Sequence, residues 1–247
     1  TAALELVPVL GEAGIQANVR GPICTSPDNL PLCGPALGKK NLWLAEGFSG
    51  GLLMGGGIGS ELANWIVDGE PHIDLGEVDP RRFGAYANKV FTGVKNKEAF
   101  GHNFGIHYPG YEWPAGRPAK TAPCYDRLTR SGAVWGAVYG WEIPLWFAPE
   151  GEKARDVWSY RTFNSMPHVG VECRAVREGV GLYEMTPMSK FEVRGSGSEA
   201  WLNQILANRM PSKIGGIVLA HLLTIKGSVR CEFTVTRLGG SHFYLIG

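Results

Sequence analysis

Residues 47–69 read GFSGGLLMGGGIGSELANWIVDG, a run with eight glycines that ends in a helical pattern. Glycine inside a regular element costs about 0.5–1 kcal/mol relative to alanine. So bare a stretch therefore points to something that must approach the main chain closely. A dinucleotide phosphate loop would need G-x-G-x-x-G between a strand and a helix, opening a βαβ unit. Gly57 and Gly59 supply the first two glycines, but Leu62 stands where the third belongs. Glu77 lies at the distance of a ribose contact, yet PHIDLG precedes it instead of a second apolar strand. The phosphate-loop reading fails. Two readings are left: a tightly packed strand-to-helix turn without a ligand, or a helix start whose backbone N–H groups stabilise negative charge.

The surroundings fix the order of elements. NLWLA (41–45) is a short apolar strand, and the glycine run follows it closely. In the helix, Ile58, Leu62, Trp65 and Ile66 fall at i, i+4, i+7 and i+8, one apolar face. Gly69 caps its C-terminus and Pro71 prevents continuation. Upstream, CTSPDNLPLCGP (24–35) is rich in turn formers. Downstream, residues 69–84 read as a linker along a surface, and 86–128 as a segment dense in aromatics, Gly and Pro. GAVWGAVYGWE (132–142) opens a third segment. That segment is expected to hold helices near 168–179 and at 198–206, with strands at 190–193, 217–223, 229–236 and 242–246.

Charge excludes some classes of partner. With 24 basic and 23 acidic residues the formal net charge is +1, and the cations form only short pairs such as Lys39-Lys40 and Arg81-Arg82. Nucleic acid and membrane surfaces are not expected as partners, since both call for a basic excess. No apolar window of some 18 residues marks a transmembrane helix. Cys24, Cys33, Cys124, Cys173 and Cys231 are odd in number and lack any CxxC spacing. They read as reduced, mostly buried thiols of a reducing compartment. TAALELVPVL opens like the middle of an element and HFYLIG closes as an apolar strand. The expectation is a fragment, or one chain of an assembly.

Few side chains stand out for chemistry. Glu232, in CEFTV, sits on an expected strand with Thr234 on the same face. It is either a solvated strand residue or a functional carboxylate. Arg230 alternates onto that face too, as a partner of Glu232 or as a ligand contact. Cys231 between them reads as a buried strand thiol. His102 and His107 lie five apart, without carboxylates or cysteines at metal-ligand spacing, and no metal is expected. Trp113, Trp135, Trp141 and Trp146 are candidates for a methylammonium cage, with core and interface packing as the simpler role. Arg117 and Arg127 are either anion contacts or ordinary ion pairs.

Five stretches in order carry a resemblance. SPDNLPLCGP followed by NLWLAEGFSGG resembles the closing third of the amine-oxidising flavoprotein fold, that of the D-amino-acid oxidase and sarcosine oxidase group. YGWEIPLWFAPEG, GVGLYEMTPMSKFEVRG and LLTIKGSVRCEFTV then follow. Together they resemble the dimethylglycine and sarcosine dehydrogenases, flavoenzymes fused to a folate-binding domain similar to the glycine-cleavage T-protein. The resemblance covers essentially the whole chain, as an internal fragment.

It implies a mixed α+β fold in three parts. These are the C-terminal part of an FAD domain (1–79), a small central linking domain (80–135), and the first part of a T-protein-like folate domain (136–247). It implies that Gly47, Phe48, Ser49, Gly50, Gly51 and Leu52 line the flavin ring, answering the question the glycines raise. It implies that Arg230, Cys231 and Glu232 lie at the folate site. The T-protein group carries an Asp-Asp pair after Gly-Gly; here Gly227-Ser228, Cys231 and Glu232 occupy those places.

The implied cofactors are FAD and tetrahydrofolate. The implied partners are a small N-methyl amine, dimethylglycine before sarcosine, and the missing flavin and folate halves on the same or another chain. The parent reaction would oxidise the amine and pass the one-carbon unit to tetrahydrofolate as 5,10-methylenetetrahydrofolate, in a bacterial cytoplasm or mitochondrial matrix. The fragment alone is expected to be inactive. The rival is a non-catalytic relative acting as an interaction subunit, as in pyruvate dehydrogenase phosphatase. A plain aminomethyltransferase would lack residues 1–69.

Overall fold

A computed structural model describes residues 2–247, and the fold is mixed α+β. The first part holds α1 (Ala2–Leu6) and the short antiparallel pair β1 (Leu32–Pro35) and β2 (Trp43–Glu46), with Cys33 opposite Ala45. Helix α2 (Gly51–Asp68) follows. Gly69 ends it in the left-handed region at φ 85°, and its N–H reaches the Trp65 carbonyl at 3.1 Å. The expected apolar face is rotated slightly. Ile58, Leu62 and Trp65 are half-buried, joined by Met54, whereas Ile66 is half exposed. Positions 54, 58, 62 and 65 make the stripe that meets β1 and β2; Ile66 lies about 100° around the helix from Trp65. Trp65 packs edge-on against Trp43, with ring centroids 5.7 Å apart.

Residues 69–84 do more than run along a surface. The Cys33 N–H donates to the Val78 carbonyl at 2.8 Å, and Leu75 and Pro80 are buried. The apolar residues among the charges, Leu75 and Val78, provide the contact that a charge-weighted reading overlooks, while Ile73 stays exposed.

The middle part contains α3 (Lys89–His102), a helix its mixed composition does not announce. Asn88 starts it by accepting from the Val90 and Phe91 N–H groups at 2.9 and 3.1 Å. After α4 (Tyr125–Arg130), β3 (Ala133–Val138) and β4 (Trp141–Phe147) form a hairpin. Its two turn residues, Tyr139 and Gly140, both have positive φ, 47° and 80°, as a tight primed turn requires. The junction expected at 135/136 falls inside β3. Arg117 packs below this hairpin in a two-pronged pair with Glu142, at 2.9 and 2.6 Å, and Glu142 is only 3% exposed.

The last part is α5 (Met166–Glu178), β5 (Lys190–Arg194), α6 (Ser198–Ile205), β6 (Ile217–Leu223), β7 (Val229–Gly239) and β8 (His242–Ile246). The four strands form one antiparallel sheet in the order β5-β8-β7-β6. Strand alternation gives it an inner and an outer face. Ala220, Val235, Phe243 and Leu245 point inward and are buried with Leu202, Leu206 and Met210 from α6 and its exit. Helix α5 docks on β4 separately: His168 stacks on Trp146 at 5.3 Å, and Glu172 accepts the Phe147 N–H at 2.9 Å.

Candidate functional site

The hairpin of β6 and β7 places Glu232. Alternation along β7 sends Cys231, Phe233 and Val235 toward the core and Arg230, Glu232 and Thr234 to the outer face. Directly opposite Glu232 in the register stands His221 of β6, and its Nε2 meets the Glu232 Oε2 at 2.8 Å. Both side chains are partly exposed, 35% for His221 and 54% for Glu232.

Arg230 does not pair with Glu232. Its guanidinium reaches Glu70, just past the α2 cap, at 3.0 Å. The pair joins residues 160 apart in sequence. It sits at a cavity of about 450 Å³ between residues 65–81 and the β6–β7 turn. Trp65, Asp79 and Arg81 contribute from one side, and Ile225, Lys226 and Arg230 from the other. Cys231 faces the inner side of the sheet. Burial raises its thiol pKa above the ordinary value, with Arg230 opposing.

The glycine run occupies the other candidate site. Gly47 is buried in the left-handed region at φ 74°, Gly50 is the N-cap of α2, and Gly51 and Leu52 form its first turn. Leu52 and Leu53 are almost wholly exposed. A Cβ built on Gly55, Gly56, Gly57 or Gly59 meets nothing within 4 Å, and at Gly50 and Gly51 it makes only ordinary contacts. Nothing packed within this chain accounts for the missing side chains. A flat group laid on the α2 start would find open backbone there, so these residues fit such a group. Among the described residues, no hydrogen bond or ion pair joins 47–52 to 230–232.

The remaining candidates separate. Trp113 stacks on His102, Trp135 on Tyr125, Trp141 lies under Lys120 and Trp146 is buried beside His168, so the four indoles form no single cage. Arg117 is spent on Glu142, and Arg127 lies exposed on α4. His107 is turned to the His102 carbonyl, its Nε2 2.9 Å away. The cysteines are all free, but only Cys33 is buried; Cys24 and Cys173 are exposed. They cap no common core, which is why the expectation of mostly buried thiols fails. Burial, and then the charge of Asp79, raises the Cys33 thiol pKa.

Sequence reasoning passed over His221 and Glu70. His221 carries a signal after all: in IVLAHLL it is the one polar side chain, at an outward position of an apolar strand.

Comparison with known proteins identifies two domains along the chain. The FAD dependent oxidoreductase central domain matches residues 68–122, and the GCVT N-terminal domain matches 124–247. Human mitochondrial dimethylglycine dehydrogenase is 40% identical over 246 residues, 99% of this chain and 28% of that protein. The chain belongs to the GCVT N-terminal domain family, with the FAD dependent oxidoreductase central domain before it. Human mitochondrial sarcosine dehydrogenase is 32% identical over 270 residues, 97% of this chain and 29% of that protein. A mouse mitochondrial pyruvate dehydrogenase phosphatase regulatory subunit is 28% identical over 250 residues, with 98% and 28% covered. The chain thus spans less than a third of the length of the relatives it matches. No helix among the described residues is long and apolar enough to cross a membrane.

Proposed function

We propose that this chain is part of a flavoenzyme that removes an N-methyl group from dimethylglycine, or from sarcosine, and hands the carbon to tetrahydrofolate. The observation that carries the reading is the 40% identity to dimethylglycine dehydrogenase over 99% of the chain. The outward carboxylate of Glu232 is consistent with it. FAD, when bound, supplies the two-electron acceptor for the amine, and tetrahydrofolate supplies the nitrogen that takes the one-carbon unit.

In this reading Gly47, Phe48, Ser49, Gly50, Gly51 and Leu52 form the wall laid against the flavin ring, and the α2 N–H groups favour negative charge there. Glu232 holds or moves a proton at the folate nitrogen, the role for which a carboxylate at that face is suited. Arg230 borders the same face, and Cys231 packs beneath it. The rest of the flavin and folate parts belongs to segments beyond these residues. Tethering both parts on one polypeptide raises the effective concentration of the intermediate passed between them. The compartment is a mitochondrial matrix or a bacterial cytoplasm.

The regulatory subunit among the relatives supports a second reading, an interaction protein without catalysis. Tetrahydrofolate binding, measured before and after Glu232→Gln in the full-length protein, separates the two. A weakened affinity supports the enzyme; unchanged or absent binding supports the interaction subunit.

A further inference from the structure

We propose that His221 is the positioning residue for the Glu232 carboxylate, holding one of its oxygens so that the other is presented to the folate ligand. The inference rests on the reading of Glu232 as the folate-side acid. The two residues are direct cross-strand partners, and the contact is 2.8 Å from Nε2 to Oε2. A carboxylate only accepts, so the imidazole Nε2–H donates.

The competing cation is removed, because Arg230 is drawn to Glu70. Thr234, next on that face, stands opposite Leu219 and takes no part. Among the described residues, no protein donor meets the Glu232 Oε1. The strand carrying His221 is itself held from its far side. The Ala207 N–H donates to the His221 carbonyl at 2.8 Å, and the Asn208 side-chain amide donates to the Leu219 carbonyl at 2.7 Å. A glutamate on an exposed strand face samples several rotamers, and a ligand that must immobilise such a side chain binds more weakly for it. His221 immobilises it before the ligand arrives.

The test uses the full-length protein with its flavin bound. Tetrahydrofolate affinity is measured by fluorescence quenching for wild type, Glu232→Gln, His221→Ala and His221→Gln. Ring nitrogen shifts of His221 are recorded by NMR with and without Glu232→Gln. The expected result is a roughly threefold to tenfold weakening in His221→Ala. His221→Gln, which keeps an N–H donor, should return to within about twofold of wild type. The His221 resonances should move when Glu232 becomes Gln. If Glu232→Gln weakens binding and His221→Ala does not, the inference falls and the reading of Glu232 stands. If His221→Gln is as weak as His221→Ala, the residue supports only the sheet and the inference falls. If Glu232→Gln binds as wild type does, the folate reading of Glu232 falls and takes the inference with it.

Discussion

Replacing Gly55, Gly56 and Gly57 together by alanine should stabilise this chain. All three lie inside α2, and a Cβ on each meets open space. Each substitution removes the backbone entropy that glycine loses on folding, about 0.5–1 kcal/mol per site. A Cβ at each site meets open space, and helix propensities sum residue by residue, so the three contributions come to roughly 2 kcal/mol. For a chain of this size that corresponds to a rise in Tm of about 4–8 °C. Thermal melting followed by circular dichroism reads the total, and amide exchange across residues 51–68 reads the gain locally. In the full-length flavoprotein Gly50→Ala combined with Gly51→Ala should lose flavin, because those added methyl groups stand where the ring is proposed to lie. If the triple variant is no more stable than wild type, the glycines inside α2 serve a local need of the helix. If the Gly50/Gly51 variant keeps its flavin, the bare start of α2 serves some other contact. Either result refutes the reasoning that ties the glycine run to a flat ligand.

The remaining expectations are independent of that one. Leu202→Ala empties a fully buried site between α6 and the sheet and should cost about 2–5 kcal/mol in urea unfolding. Glu142→Ala leaves the Arg117 guanidinium buried without its main partner. Burial lowers the Arg117 pKa, but the hydrogen bond and charge of Glu142, with Glu112, outweigh it and raise the value overall. The loss should be about 3 kcal/mol, and Arg117→Met combined with Glu142→Leu should recover most of it. A loss below about 1 kcal/mol would show that Glu112, 3.6 Å away, takes over the pairing. Cys33 and Cys231 have raised thiol pKa values. Folding therefore favours their neutral form; their contribution to stability is present below the unfolded thiol pKa and is lost as pH rises through the folded one. At mildly alkaline pH, alkylation followed by mass spectrometry should label Cys24 and Cys173 first. The 247-residue chain alone should show no turnover of dimethylglycine.

Much of the last part was legible because its strands obey alternation. The expected strands 217–223 and 242–246 match β6 and β8, and 229–236 falls within β7. The face on which Glu232 lies followed from the same rule. The partners of Arg230 and Glu232 did not, since His221 is set by register across a hairpin and Glu70 by a contact 160 residues away. Helix α3 was missed because Gly93, Gly101 and scattered charges blur its periodicity, while its cap, Asn88, is a local signal that was there to use. The apolar stripe of α2 was one residue out because Met54, not Ile66, completes it. Of the two roles left open for Arg117, anion contact or ion pair, the structure shows the pair, made with a buried carboxylate that no local pattern announces.

The most direct test of the central claim is anaerobic addition of dimethylglycine to the full-length, flavin-loaded protein while its visible absorbance is followed. The flavin reading predicts rapid bleaching of the oxidised band. A flavin that stays yellow with dimethylglycine and with sarcosine would contradict an enzyme of N-methyl amines and favour the interaction subunit.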